Sequence, residues 1–227
     1  MSATVLFRTK QMDSKAMEGT RSPTKVQFTA YEQMFGFFNR RLFGGRLPAC
    51  LLNFSRKSKT NGFFAPERWQ HEDAKEVRHE ISLNPGSLRT RKPIEVASTL
   101  VHEMVHLWQQ EFGRPSRTGY HNAEWAAKMD EVGLTPSSTA APGGDRVGQA
   151  VTHYIATGGR FAQAFAAMPS KFLLPWSCEE PEEGQKKKPA SRNKVKYTCT
   201  GCATNVWGKP GLAVVCGDCE EAFEEGT

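Results

Sequence analysis

His102-Glu103-Met104-Val105-His106 reads H-E-x-x-H inside an apolar stretch covering residues 94–108. The apolar residues Ile94, Ala97, Val101, Met104, Val105 and Trp108 recur at helical spacing. They predict a buried helix that opens near Pro93 and ends near Gly113-Arg114-Pro115. Residues four apart on a helix lie on one face, one turn apart. Two imidazoles so placed can bind one Zn²⁺ ion, with Glu103 beside it in position to take a proton from an attacking water. That is the core of a metal-dependent hydrolase, usually a protease. The pattern fixes only three positions and arises by chance in roughly a few per cent of chains of this length, so its context has to carry the rest.

A catalytic zinc takes three protein ligands and one water. The extended pattern H-E-x-x-H-x-x-G-x-x-H is excluded, because Gln109 and Phe112 hold the required Gly and His positions. The next candidates are His121 and Glu124, three apart and so on one helical face. One could bind the metal while the other orients a ligand from outside; spacing favours neither. Tyr120, His153 and Tyr154 are candidate oxyanion donors, with packing as the plainer role for each. His71 and His79 read as surface residues.

Near the C-terminus, Cys199-x-x-Cys202 and Cys216-x-x-Cys219 are separated by thirteen residues. Two such knuckles predict a tetrahedral four-thiolate zinc site with no open position, hence a structural one. A module below about 40 residues needs such a staple, since its core is too small to stand alone. Tyr197 and Trp207 flank the first knuckle. They could stack on unpaired bases beside the basic run 186–196, or fill the ribbon's small core, a role that suits Trp207 better. Cys50 and Cys178 read as buried or incidental thiols.

A helix is expected over residues 29–42 with Thr29 as N-cap, then short strands over 51–54, 62–64 and 77–83. A second helix over 121–131, a loop over 136–149, a strand over 150–155 and a short helix over 160–168 follow. The organisation reads as a loosely attached N-terminus (1–26), a catalytic domain (27–177), a charged linker (178–194) and a ribbon (195–227). No apolar run approaches the roughly 20 residues of a membrane span, and residues 1–25 lack the pattern of a signal peptide. A cytoplasmic protein is expected, nucleoid-associated if it binds DNA.

Net charge is +6, unevenly spread. Residues 1–60 carry eleven Lys and Arg against three Asp and Glu, and 186–196 is purely basic. Such stretches suit an anionic partner. The nucleic-acid-binding candidates are Arg40, Arg41, Arg46, Arg56, Lys57 and Lys59 near the first helix, Lys186, Lys187, Lys188, Arg192, Lys194 and Lys196 in the linker, and Tyr197 and Trp207 in the ribbon.

The motif and its surroundings resemble the SprT-like metalloprotease family, which includes the Spartan-type DNA–protein crosslink proteases. That family's pattern is H-E-M-x-H with a third His fifteen residues on, in a His-x-x-Glu-aromatic context. His102, Glu103, Met104, His106, His121, Glu124 and Trp125 match it. So do Phe38-Asn39, Leu42-Phe43-Gly44-Gly45, Leu47-Pro48, Gly62-Phe63-Phe64 and Glu80-Ile81-Ser82-Leu83-Asn84-Pro85 upstream. The resemblance covers about residues 30–220. It implies His102, His106 and His121 as ligands of a catalytic zinc and Glu103 as general base. It also implies an α+β, zincin-like domain, a small sheet plus active-site helices, followed by a four-cysteine zinc ribbon, with two Zn²⁺ in all. The expected activity is peptide-bond hydrolysis on DNA-bound or DNA-crosslinked proteins, the DNA single-stranded or duplex. In Spartan-type members a region analogous to the ribbon contacts DNA. Here the acidic tail Glu220, Glu221, Glu224 and Glu225 opposes that role, leaving the linker and residues 40–59 the better candidates. The competing expectations are a peptidase without a DNA role, a zinc hydrolase of other substrates, and a non-catalytic zinc-stabilised DNA-binding or regulatory protein.

Overall fold

Pro23 opens the first helix, where its missing N–H leaves no bond unmade. The computed structural model describes residues 22–56, 60–73, 75–178 and 194–226. Helix α1 spans Pro23–Phe43 and closes on Gly44 in the left-handed conformation, φ 65°. It starts earlier than Thr29, and residues 23–26, expected in the loose N-terminus, form its first turn. The reason is tertiary. Gln27 Nε2 donates to the Trp176 carbonyl at 2.9 Å, and Trp176 N–H returns a bond to Gln27 Oε1 at 3.0 Å. Tyr31, Met34, Phe38 and Leu42 continue the buried face at intervals of three and four. Beyond the helix, Asn39 clamps the turn: its Nδ2 donates to the Leu47 carbonyl and its Oδ1 accepts from Leu47 N–H.

Three strands follow, β1 (Leu51–Phe54), β2 (Gly62–Gln70) and β3 (Val77–Leu83). Their order is β1-β3-β2, with β1 parallel and β2 antiparallel to β3. Alternate side chains point to opposite faces. Ile81 and Leu83 enter the core, while Glu80 and Ser82 are buried on the other face. There Glu80 accepts from Ser82 Oγ at 2.6 Å and Trp69 Nε1 at 2.7 Å, so its burial is compensated. β2 runs past the expected 62–64 and is bulged between Ala65 and Trp69, with Glu67 at φ 48°.

A short helix α2 (Pro85–Thr90), capped by Asn84, leads into α3, the motif helix, at Pro93–Phe112. Helix α4 (Ala123–Val132) begins only after Asn122, whose side chain accepts the Trp125 N–H. β4 (Leu134–Ser137) takes up the start of the expected loop and pairs antiparallel with β5 (Thr152–Ile155). Helix α5 (Arg160–Ala166) and a 3₁₀ turn (Ser170–Phe172) close this part. Its core joins α1, β3, α3, α4 and α5; Phe38 stacks on Phe161 at 5.6 Å, and Leu100, Met104 and Met129 are fully buried.

The chain forms two compact units, Met1–Glu179 and Glu180–Thr227. In the second unit β6 (Val195–Cys199) lies between β7 (Asn205–Gly208) and β8 (Phe223–Glu225), all antiparallel. With five helices and small sheets among the described residues, the chain is mixed α+β. No helix among them is long and apolar enough to cross a membrane.

The two-way Asn39–Leu47 clamp gives a stability prediction. Asn39→Ala leaves the Leu47 amide and carbonyl unpaired and is expected to lose about 1–3 kcal/mol, measured by urea unfolding. An unchanged midpoint and slope would show the clamp to be dispensable.

Candidate metal centre

Helix α3 puts His102 and His106 on one face, and the Ala123 end of α4 brings His121 against them. One nitrogen from each of the three lies within 4.8 Å of the others. Ring centroids are 5.2 Å apart for His102 and His106, 5.4 Å for His102 and His121, and 4.9 Å for His106 and His121. Beneath them lies the buried Trp125 indole, 4.9, 5.3 and 4.2 Å from the rings of His102, His106 and His121.

The donor set fits zinc. His106 Nε2 and His121 Nε2 face each other at 3.2 Å. The edge of a tetrahedron with zinc–nitrogen bonds of about 2.0 Å is about 3.3 Å. His121 Nδ1 lies 3.2 Å from the Gly148 carbonyl, which only accepts; the proton is therefore on Nδ1 and Nε2 keeps its lone pair. His121 and Gly148 also exchange two backbone bonds, at 2.8 and 2.9 Å. Gly148 makes this bridge at φ +135°, a conformation that side chains rarely adopt.

Burial sets the electrostatics. Desolvation holds the His102 pKa well below its usual range, helped by His106, His153 and His121. It pulls His106 down to about 3, with His121 adding to the effect. His121 is lowered for the same reason, partly offset by its bond to Gly148. All three imidazoles are thus neutral, the form that binds a metal. Glu103, the chain neighbour of His102, is buried too, its carboxyl pushed up to about 8 by desolvation and drawn back by the Phe64 N–H. Phe64, on β2, also stacks its ring along His106 at 6.5 Å.

The outer candidates fall elsewhere. Glu124 accepts from Gln109 Nε2 at 2.8 Å and from the Arg114 N–H at 2.7 Å, so it ties α4 to the end of α3 and does not orient an imidazole. Tyr120 is half-buried under the Arg117 guanidinium at 5.4 Å. His153 stands against His102, Nδ1 to Nδ1 at 3.1 Å, rather than free to meet an oxyanion. Tyr154, its neighbour on β5, points to the opposite strand face. His79 is not a plain surface residue: Nε2 lies 2.8 Å from Glu111 and its ring packs on Phe64, whereas His71 is exposed. Ser98 and Gly148 went unsingled in the sequence. Ser98 sits one turn before His102 on the same face, a usable signal; Gly148 has none short of the fold.

The four cysteines of the second unit also converge, with Sγ atoms within 4.8 Å of one another. Cys202 and Cys216 are 3.8 Å apart, against about 3.8 Å for the edge of a tetrahedron with zinc–sulfur bonds of about 2.3 Å. The two knuckles repeat one pattern. Ala203 N–H donates to the Cys199 carbonyl and Glu220 N–H to that of Cys216; Ala203 and Glu220 both have positive φ, 59° and 56°. Thr204 pulls Cys202 down to about 6, while its bond to Cys202 pushes Cys219 up to about 12. In the core of this unit Tyr197 is buried, its hydroxyl donating to the Lys209 carbonyl at 2.6 Å, while Trp207 is 63% exposed. The core role expected of both, and more of Trp207, therefore falls to Tyr197, while Trp207 stays on the surface. Arg40, Arg41, Arg46, Arg56, Lys194 and Lys196 are exposed. Lys57, Lys59, Lys186, Lys187, Lys188 and Arg192 lie outside the described residues, as do residues 1–21 and most of the expected linker.

Glu103 gives a pH signature. Its pKa is raised from 4.5 to about 8, so the stability of its neutral form is complete below the unfolded value and lost as pH rises through the folded one. In metal-free protein Glu103→Gln is expected to be more stable than wild type at pH 9, with the gap closing at pH 5, by urea unfolding. A gap independent of pH would contradict the burial of Glu103. Metal analysis offers a second check: two zinc ions per chain, one of them lost in His121→Ala and the other retained.

No curated protein matches the chain. A family model described as the SprT-like family matches residues 31–144, half of the chain. The match takes in α1 from Tyr31, the sheet, the motif helix, His121 and α4. The chain belongs to the SprT-like family.

Proposed function

We propose that the protein is a zinc-dependent endopeptidase with a zincin-like catalytic domain over about residues 23–177 and a structural zinc ribbon over 195–227. One observation carries the reading: three imidazoles whose nitrogens converge within 4.8 Å, with Glu103, the chain neighbour of His102, buried and held by the Phe64 N–H. Membership of a metalloprotease-type family agrees with it. A purely structural metal site has no use for a base.

Bound zinc supplies Lewis acidity, towards water and towards a peptide carbonyl. The chain's own residues do the rest. Glu103 accepts the proton of the attacking water and hands it to the leaving amine. The Phe64 N–H holds one side of that carboxylate, fixing it in position for both transfers. A dication alongside favours the charged form of Glu103 and so counters the desolvation that raises its pKa.

For the substrate, the proposal is protein bound or crosslinked to DNA, met in the cytoplasm. Arg40 and Arg41 are exposed in the last turn of α1, and Arg46 is exposed just beyond it. In the ribbon, Trp207 pairs with Lys196 across β6 and β7, so an exposed indole and an ammonium share one face. An indole so placed can stack on an unpaired base while the lysine meets phosphate. Glu224, paired with Thr198, lies on that same face and weakens the attraction.

The test uses zinc-loaded wild type and Glu103→Gln on a DNA-bound protein, with and without single-stranded DNA. Cleavage is expected to fall at least about 100-fold in Glu103→Gln with zinc content unchanged; equal cleavage would remove Glu103 from the chemistry. DNA stimulation should decline as salt rises. Trp207→Ala is expected to weaken single-stranded DNA binding about tenfold; binding insensitive to salt and to Trp207 would leave a peptidase without a DNA role.

A further inference from the structure

We infer that His153 is a positioning residue for the metal: it accepts the Nδ1 proton of His102 and thereby keeps His102 Nε2 free to bind zinc. The inference rests on the metal-site reading above and assigns His153 a task other than oxyanion stabilisation.

The direction of each proton follows from the contacts. Ser98 Oγ lies 2.9 Å from the Glu95 carbonyl, to which it can only donate. Its single proton is spent there. Towards His153 Nε2, at 2.9 Å, the same oxygen must therefore accept. His153 then carries its proton on Nε2, and in a neutral imidazole Nδ1 is left bare. His102 Nδ1, 3.1 Å away, must donate to it. The proton of His102 is thus on Nδ1 and its lone pair is on Nε2.

The arrangement is built rather than incidental. Ser98 and His102 are one turn apart on α3, and His153 spans that turn from β5. Pairing of His153 with Pro136 holds β5 in register. Gly148, which fixes the tautomer of His121 in the same way, lies five residues earlier in the connection from β4 to β5, with buried Val151 between. One short segment, 148–153, therefore orients two of the three ligands from behind. Losing such an outer partner typically weakens metal binding by roughly 10–100-fold.

The test measures zinc affinity by chelator competition on the full chain, with the four-cysteine site as internal control. His153→Phe keeps bulk without an acceptor; His153→Asn restores an acceptor near the position of Nδ1. His153→Phe is expected to bind zinc at the histidine site about 10–100-fold more weakly, His153→Asn to recover most of the loss, and the cysteine site to stay unchanged. Nitrogen-15 correlation spectra of zinc-loaded wild type, which need no variant to fold, should show His102 protonated on Nδ1 and His153 on Nε2. Unchanged affinity in His153→Phe, a His153→Asn no better than His153→Phe, or a proton on His153 Nδ1 would overturn the inference. If wild type itself binds no zinc at the histidines, the metal-site reading fails first. Normal wild-type binding with no response to His153 defeats this inference alone.

Discussion

The indole of Trp125 lies under all three imidazoles, within 4.2 to 5.3 Å of each, and the site depends on how it is held there. Asn122 accepts the Trp125 N–H and starts α4 at that point. Gln109, on α3, donates to Asn122 Oδ1 at 2.7 Å and to Glu124. The residue standing where a longer zinc motif would have glycine thus brackets α4 to α3 and sets His121 against His102 and His106. Among the described residues, Trp125 Nε1 is the one buried side-chain polar atom with no hydrogen-bond partner. Leaving an N–H unpaired costs about 1–3 kcal/mol, so packing under the ligands outweighs satisfaction of the indole.

The same burial that shapes the ligands charges the site with a need. Neutral imidazoles and a carboxyl shifted towards its neutral form are what a dry pocket imposes when desolvation outweighs every local partner. His102, His106 and His121 would hold a cation through their bare nitrogens, and its charge would favour an ionised Glu103. The four cysteines converge in the same way, with Sγ atoms spaced for tetrahedral zinc. Three converging nitrogens would leave a tetrahedral ion one open position and four converging sulfurs would leave none, which is the ground for proposing a catalytic role for the first site and a structural role for the second.

Local chemistry made some of this legible. Pro93 and Gly113 mark the motif helix at both ends, and the apolar stripe gives its buried face. The cysteine spacing foretold the convergence of the four sulfurs. What escaped depends on distant partners. The start of α1 is set by Gln27 bonding to Trp176, 149 residues away. That Tyr197 rather than Trp207 fills the small core is decided by which strand face turns inward, and the Tyr197 hydroxyl is fixed by the Lys209 carbonyl. Glu124 matched a family pattern by position, but Arg114 and Gln109 claim its carboxylate. His153 was visible as a titratable group near the site; its contact with His102 needed the pairing of β4 with β5.

Zinc K-edge absorption on the fully loaded chain tests the central claim most directly, because it reads both donor sets without any assay of activity. Averaged over two ions, half of the nearest neighbours should be nitrogen or oxygen at about 2.0 Å and half sulfur at about 2.3 Å. A spectrum accounted for by sulfur alone would mean that His102, His106 and His121 hold no zinc, and the account of Glu103 as the base of a metallopeptidase would fall with it.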